Sequence, residues 1–285
     1  KLKFLELDKF ETVRFLMIIK VGDFEFTEVW DGILYKKLSN YPNISNWEMR
    51  TLIEFADYEA KYGRECVIEC DDKALLNKIS EEMKNKSTYS LISRPSLITE
   101  CTACPHRKGC ETEYVCHTTS VENAIKIFEC GKLLSAIKAR GIPVQQLMSE
   151  SRNAANDPAD YFEYIMFSLG NCQAGDRLVM ERSLGRFPND EDLSVNFKPG
   201  IRFYFKYDEL AKHPKRIFDG VLPMKVKDEI ALSDWVFRII VPLDEKCKVE
   251  CYIPDDLKER IIYVDNDCKD IWEWSEKVYK TIEMT

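Results

Sequence analysis

The 285-residue chain has no run of about 18 apolar residues, the length a membrane-spanning helix needs, so no transmembrane segment is expected. It has no internal repeat and no low-complexity stretch, which excludes solenoid architectures. An excess of basic charge is also missing. The 41 Lys and Arg residues face 49 Asp and Glu, and the net charge of -8 argues against a general nucleic-acid coat while leaving room for a local basic groove. Histidine is scarce, with only His106, His117 and His213. The charged stretch Lys1–Lys9 contains no signal-peptide core.

What remains is ordinary globular material, 45% hydrophobic and 12% aromatic, enough for one large domain or two modest ones. Eleven cysteines are unusual in such a chain. An odd count without a secretory leader does not describe a disulfide framework. The expected compartment is a reducing cytoplasm, where clustered thiols are metal ligands before they are bridges.

The cluster is Cys101-x2-Cys104-x5-Cys110. Cys-x2-Cys turns two sulfurs toward one metal and the x5 loop brings a third; sites of this type need four ligands. Cys70 is assigned as the fourth, with Cys66 and Cys116 as alternatives. The spacing resembles that of proteins that hold a 4Fe–4S cluster with one distant cysteine, such as the iron-staple nucleases. That resemblance covers ten residues and no nuclease carboxylate–lysine set accompanies it. A 4Fe–4S cluster is therefore expected, with zinc as the alternative.

Around the cluster, residues 1–95 read as an accessory region. A helix is expected over Trp47–Lys61 behind the cap Ser45-Asn46, a strand over Glu65–Asp71 and a helix over Asp72–Lys84. Residues 96–112 form the cysteine loop. From residue 113 on, the pattern is strand, helix, then mostly strands. Tyr114–Cys116 delivers His117 into Thr118-Thr119-Ser120, and an amphipathic helix then runs to Gly131. Ala136–Gly141 and Gln145–Ser149 read as irregular, partly helical loop, and Arg177–Glu181 as a strand or helix start. Tyr161–Gly170, Ile201–Tyr207, Val236–Val241, Val249–Ile253 and Arg260–Val264 read as strands, and Asp270–Thr281 as a closing helix.

Three blocks in this order resemble the ADP-ribosyltransferase superfamily, most closely the DarT-like toxins that modify DNA bases. They are VCHTTSVENAIKIFECGKLLS at 115–135, Tyr164-Ile-Met-Phe167 with Arg177-Leu-Val-Met180, and Val249-Glu250-Cys251-Tyr252-Ile253-Pro254 followed by Ile261-Ile262. The resemblance covers about residues 114–264. It implies an α+β fold with a split β-sheet core over 113–285, joined through the metal loop to the N-terminal α/β region. It implies NAD as substrate and transfer of ADP-ribose to a macromolecule, a nucleic acid before a protein, and an antitoxin or immunity partner. Glu250, His117 and Arg177 become the catalytic residues. Glu250 would stabilise the developing cation or deprotonate the acceptor, and His117 would bond the ribose. Thr119, Asn123 and Tyr164 would contact the nucleotide, and Arg177 or Arg152 would supply a cation for the phosphates.

Two other readings stand beside it. One is an RNA 2′-phosphotransferase-like enzyme, which the shortage of histidines disfavours. The other is a metal-stapled nucleic-acid-binding module that uses the basic and aromatic residues of Lys198–Lys206 and the basic stretch Lys212–Arg216.

Overall fold

The computed structural model describes residues 15–25, 27–30, 33–62, 64–85, 113–150, 159–217 and 222–285. The chain divides into two compact units, Lys1–Pro95 and Ser96–Thr285. Together they make an α+β protein.

The first unit contains β1 (Phe15–Gly22), β2 (Glu28–Trp30), β3 (Ile33–Lys37), α1 (Asn46–Lys61), β4 (Arg64–Glu69) and α2 (Lys73–Lys84). Its sheet runs β2-β3-β1-β4, with β1 parallel to both β3 and β4. Alternation along β1 buries Met17, Ile19 and Val21. Both helices start where side-chain caps dictate. Ser45 Oγ accepts the Glu48 N–H at 3.2 Å, and the Glu48 carboxylate accepts the N–H groups of Ser45 at 2.9 Å and Ser39 at 2.7 Å. Burial would raise the Glu48 pKa, but these bonds hold it down to about 2. Asp72 Oδ1 accepts from Leu75 N at 2.7 Å to open α2.

The second unit holds β5 (Tyr114–Thr119), α3 (Val121–Cys130), β6 (Lys132–Leu134), α4 (Ala136–Arg140), α5 (Val144–Glu150), β7 (Tyr164–Leu169) and α6 (Ala174–Leu184). There follow β8 (Ile201–Lys206), α7 (Tyr207–Leu210), β9 (Arg216–Ile217), β10 (Met224–Lys227), β11 (Glu229–Ala231), α8 (Leu232–Trp235) and β12 (Arg238–Pro242). It ends with α9 (Lys246–Val249), β13 (Ile261–Val264) and α10 (Ile271–Glu283). Seven strands form one sheet in the order β13-β12-β8-β5-β7-β10-β9, with β5 at its centre, and β6 and β11 pair separately.

The two faces of that sheet bury different cores. Cys116, Tyr204 and Ile240 face α6 and α10, where Met180, Trp274 and Val278 complete the cluster. On the opposite face Phe203 meets Phe128 of α3 with ring centres 5.7 Å apart, and Phe205 meets Phe167 at 5.2 Å. Strand alternation thus sends the adjacent Cys116 and His117 to opposite sides.

Several elements differ from their sequence-based expectation. Ala136–Arg140 is a helix, capped by Ser135 and ended by Gly141 in the left-handed region, and Val144–Glu150 is a second helix. Arg177–Glu181 lies inside the helix α6. Val249–Ile253, expected as a strand, is the end of α9 and a 3-10 turn over Glu250–Tyr252. Its two buried apolar residues, Val249 and Ile253, are four apart. That spacing suits one helical face as well as one strand face, and a five-residue pattern does not separate them. Among the described residues no helix is long and apolar enough to cross a membrane.

Candidate functional site

The centre of the second unit is a place where its sheet comes apart. β5 pairs with β8 along its whole length, Tyr114↔Lys206 to Thr119↔Ile201. With β7 it pairs only at Val115↔Leu169 and Cys116↔Ser168. On its other edge, β7 pairs with β10 from Tyr164↔Lys227 to Phe167↔Met224. β5 and β7 therefore part immediately after Cys116.

His117 stands at that parting. Its Nδ1 lies 3.0 Å from the Met166 carbonyl oxygen of the departing strand, and its ring meets Phe167 edge-on at 6.1 Å. A carbonyl oxygen only accepts, so Nδ1 carries the hydrogen. Burial lowers the His117 pKa, opposed by the bond to Met166 and reinforced by the nearby Arg182 guanidinium. The imidazole is neutral, and Nε2 keeps a lone pair that can accept a hydrogen bond.

The strand that carries His117 is held from below. Thr118, on the α6 side, is so close to that helix that a Cβ on Gly175 would lie 2.4 Å from Thr118 Oγ1. A Cβ on Gly200 would lie 2.6 Å from the Thr119 carbonyl oxygen. Two glycines thus allow α6 and the start of β8 to close on the His-Thr-Thr segment. Beneath them lies a polar network with no solvent exposure at Asp176, Arg202 or Tyr204. Arg202 Nε donates to Asp176 Oδ2 at 2.8 Å, Nη1 donates to Tyr204 Oη at 3.1 Å, and Tyr204 donates to the Gly170 carbonyl at 3.0 Å. Arg202 Nη2 donates to Ser275 Oγ of α10 at 2.5 Å.

The other sequence-predicted residues distribute as follows. Thr119 ends β5 and is buried. Ser120 caps α3, accepting the Asn123 N–H at 3.3 Å, and Asn123 is exposed in the first turn. Glu250 is exposed and lies 3.6 Å from Lys246 Nζ. Its segment packs against α3, and Lys248 acts electrostatically on Glu122 in the first turn of that helix. The Glu250 segment and the turn after His117 thus meet on α3. Tyr164 is buried, its ring under the buried Lys225 ammonium at 4.8 Å. Arg177 is elsewhere, lining a cleft with Asp190, Leu193, Ser194, Asp270 and Trp272. Arg152 lies outside the described residues.

Sequence reasoning missed Arg182, Asp176 and Lys225. A helical phase for α6 would have brought out the first, since Gly175 and Arg182 are seven residues apart on one stripe. The basic and aromatic stretch weighed as a single-strand contact or a half-exposed strand is buried at its centre: Arg202, Phe203, Tyr204, Phe205 and Arg216 have no solvent exposure.

Cys101, Cys104 and Cys110 lie outside the described residues, and among those described no group of three or more His, Cys, Asp or Glu is arranged to hold a metal. Cys70, just past β4 in the first unit, is a half-buried free thiol close enough to Tyr41 to act on its hydroxyl electrostatically. Cys116 is a poor ligand. Burial pushes its thiol up to about 12, and it sits in the core beneath β5 with Thr118 Oγ1 3.6 Å away. Compared with known proteins, the chain matches no family model, no curated sequence and no solved structure.

Proposed function

We propose that the second unit is an NAD-dependent ADP-ribosyltransferase acting on a macromolecular acceptor, a nucleic acid in the first instance. The observation that carries the reading is the parting of β5 from β7 at a neutral His117 whose Nε2 is left to accept. In this reading NAD enters the opening and a ribose hydroxyl donates to that nitrogen. Thr119 and the start of α3 border the nucleotide. The bond between ribose C1′ and the nicotinamide nitrogen breaks, and nicotinamide leaves with the electron pair. The acceptor atom bonds to C1′ and its proton passes to Glu250, whose carboxylate also steadies the oxocarbenium-like transition state. The meeting of the Glu250 segment with α3, the helix that begins at the histidine turn, supports that role. Cys101, Cys104 and Cys110 would bind the metal, a 4Fe–4S cluster or zinc. A bound cluster would supply structural stability, and no step of the transfer involves it.

The test is incubation of the purified protein with labelled NAD and a panel of DNA, RNA and protein acceptors, alongside a thermal-shift titration with NAD. Transfer of label and a rise in the unfolding midpoint are expected. Glu250→Ala should abolish transfer while leaving the fold intact. A chain that NAD does not stabilise and that labels no acceptor is not this enzyme, and normal labelling by Glu250→Ala would remove Glu250 from the mechanism.

A further inference from the structure

The cleft that holds Arg177 lies on the other side of the sheet from His117. It has a volume of about 420 Å³, and Arg177, Asp190, Leu193, Ser194, Asp270 and Trp272 line it. That is the size of a small-molecule site. α6 supplies Arg177, the start of α10 supplies Asp270 and Trp272, and the segment between α6 and β8 supplies the rest. α6 and α10 pack on the Cys116 face, and strand alternation sends His117 to the opposite one.

The walls of the cleft are fixed by their own bonds. Asp192 accepts from Arg186 and from the Asn189 N–H at 2.8 Å, and Ser194 Oγ donates to the Asp190 carbonyl oxygen at 2.7 Å. The Ile271 N–H donates to the Leu193 carbonyl oxygen at 2.9 Å, which ties that segment to α10. Asp270 Oδ1 caps α10, accepting from Trp272 N at 3.0 Å and from Glu273 N at 2.8 Å. Trp272 is half-buried against the core.

The polar groups that line the cleft are of opposite kinds and do not satisfy one another. Among the described residues, the Arg177 guanidinium, the Asp190 carboxylate and Asp270 Oδ2 make no hydrogen bond and no ion pair. Arginine only donates, and a carboxylate only accepts. A ligand that answers both carries acceptors and donors, and the indole of Trp272 suits a flat one. Guanine offers each kind as an adjacent pair: N7 with O6 for a guanidinium, N1–H with the N2 amine for carboxylate oxygens. Adenine lacks the paired acceptors, and cytosine and thymine lack the paired donors.

We propose that the cleft between α6 and α10 binds a guanine base. Trp272 stacks on its face, Arg177 donates to O6 and N7, and Asp190 and Asp270 accept from N1 and N2. The base arrives on a free guanine nucleotide or as an unpaired guanine in a single strand. The inference is independent of the transferase reading, because the cleft and His117 lie on opposite faces of the sheet.

The experiment is isothermal titration of the full chain with the monophosphates of guanosine, inosine, 7-deazaguanosine, adenosine and cytidine, and with oligothymidylate with and without one central guanine. Guanosine monophosphate or the guanine-bearing strand should bind. Inosine, which lacks the N2 amine, and 7-deazaguanosine, which lacks N7, should each bind about tenfold more weakly. Arg177→Ala should erase the preference over 7-deazaguanosine, Asp190→Ala should shrink the preference over inosine, and Trp272→Leu should weaken every purine. Circular dichroism verifies the folding of each variant, and the analogue series needs no variant. Binding of the strand alone assigns the guanine to a nucleic acid, and binding of the monophosphate alone assigns it to a free nucleotide. Equal affinity for all five monophosphates, no binding of either guanine form, or an unchanged order of preference in folded Arg177→Ala would overturn the proposal.

Discussion

Asp176 and Arg202 form an ion pair between α6 and β8 from which water is wholly excluded, with Arg202 Nε 2.8 Å from Asp176 Oδ2. The second carboxylate oxygen accepts the Gly200 N–H at 2.9 Å. That glycine lies against the Thr119 carbonyl, so the pair connects the core to the segment that carries His117. A buried charge that loses its partner costs far more than the pair contributes. Asp176→Asn should therefore destabilise the second unit by about 3–5 kcal/mol. Replacing both partners, Asp176→Leu with Arg202→Met, should cost less than the two single substitutions added together. Urea unfolding of the four proteins measures this directly, and strict additivity would show that the two side chains do not act as a unit.

The neutral His117 makes a pH prediction with a definite sign. Burial holds its folded pKa below the ordinary 6.5. As pH falls through 6.5 the unfolded chain takes up a proton that the folded chain does not, so the unfolded state binds more protons and stability drops. Above that range the group contributes no slope. Urea midpoints measured from pH 5 to pH 8 should fall on the acid side, by at most about 1.4 kcal/mol per pH unit from this residue. His117→Asn should flatten that part of the profile. An identical acid slope in the variant would mean that His117 is not the buried neutral group.

How much of this was legible in the sequence depended on how local each feature is. The cap at Ser45 with Glu48 three residues on, the Asp72 start of α2 and the polar turn before α3 are short-range signals, and the helices begin where those residues say. The parting of β5 and β7 is not a local property. β5 continues along β8 to Thr119 while its pairing with β7 stops at Cys116 and Ser168, and that depends on how three strands distant in sequence are placed. Arg202 was misread for the same reason. An arginine between aromatics suggests a half-exposed strand, and the carboxylate that allows its burial lies 26 residues away. Val249–Ile253 failed on length: with its buried residues four apart, the packing against α3 decided for a helix.

The fourth ligand of the cysteine cluster can be narrowed by the state of Cys116. A metal is bound by thiolate, and the Cys116 thiol is pushed up to about 12 by burial. It also faces the core under β5, packed with Tyr204 and Trp274, so reaching a metal would empty part of that core. Cys101→Ser, Cys104→Ser and Cys110→Ser should each lose bound metal when the protein is purified without oxygen and assayed by elemental analysis. Cys116→Ser should retain it and instead lower the unfolding midpoint, because a hydroxyl then occupies a buried site. Cys70→Ser, which exchanges a half-buried thiol beside Tyr41, should lose metal if Cys70 completes the set. A brown protein with broad visible absorption identifies the cluster as iron–sulfur, whereas a colourless protein containing zinc removes that assignment. Loss of metal in Cys116→Ser together with an unchanged midpoint would reverse the roles argued for Cys116 and Cys70.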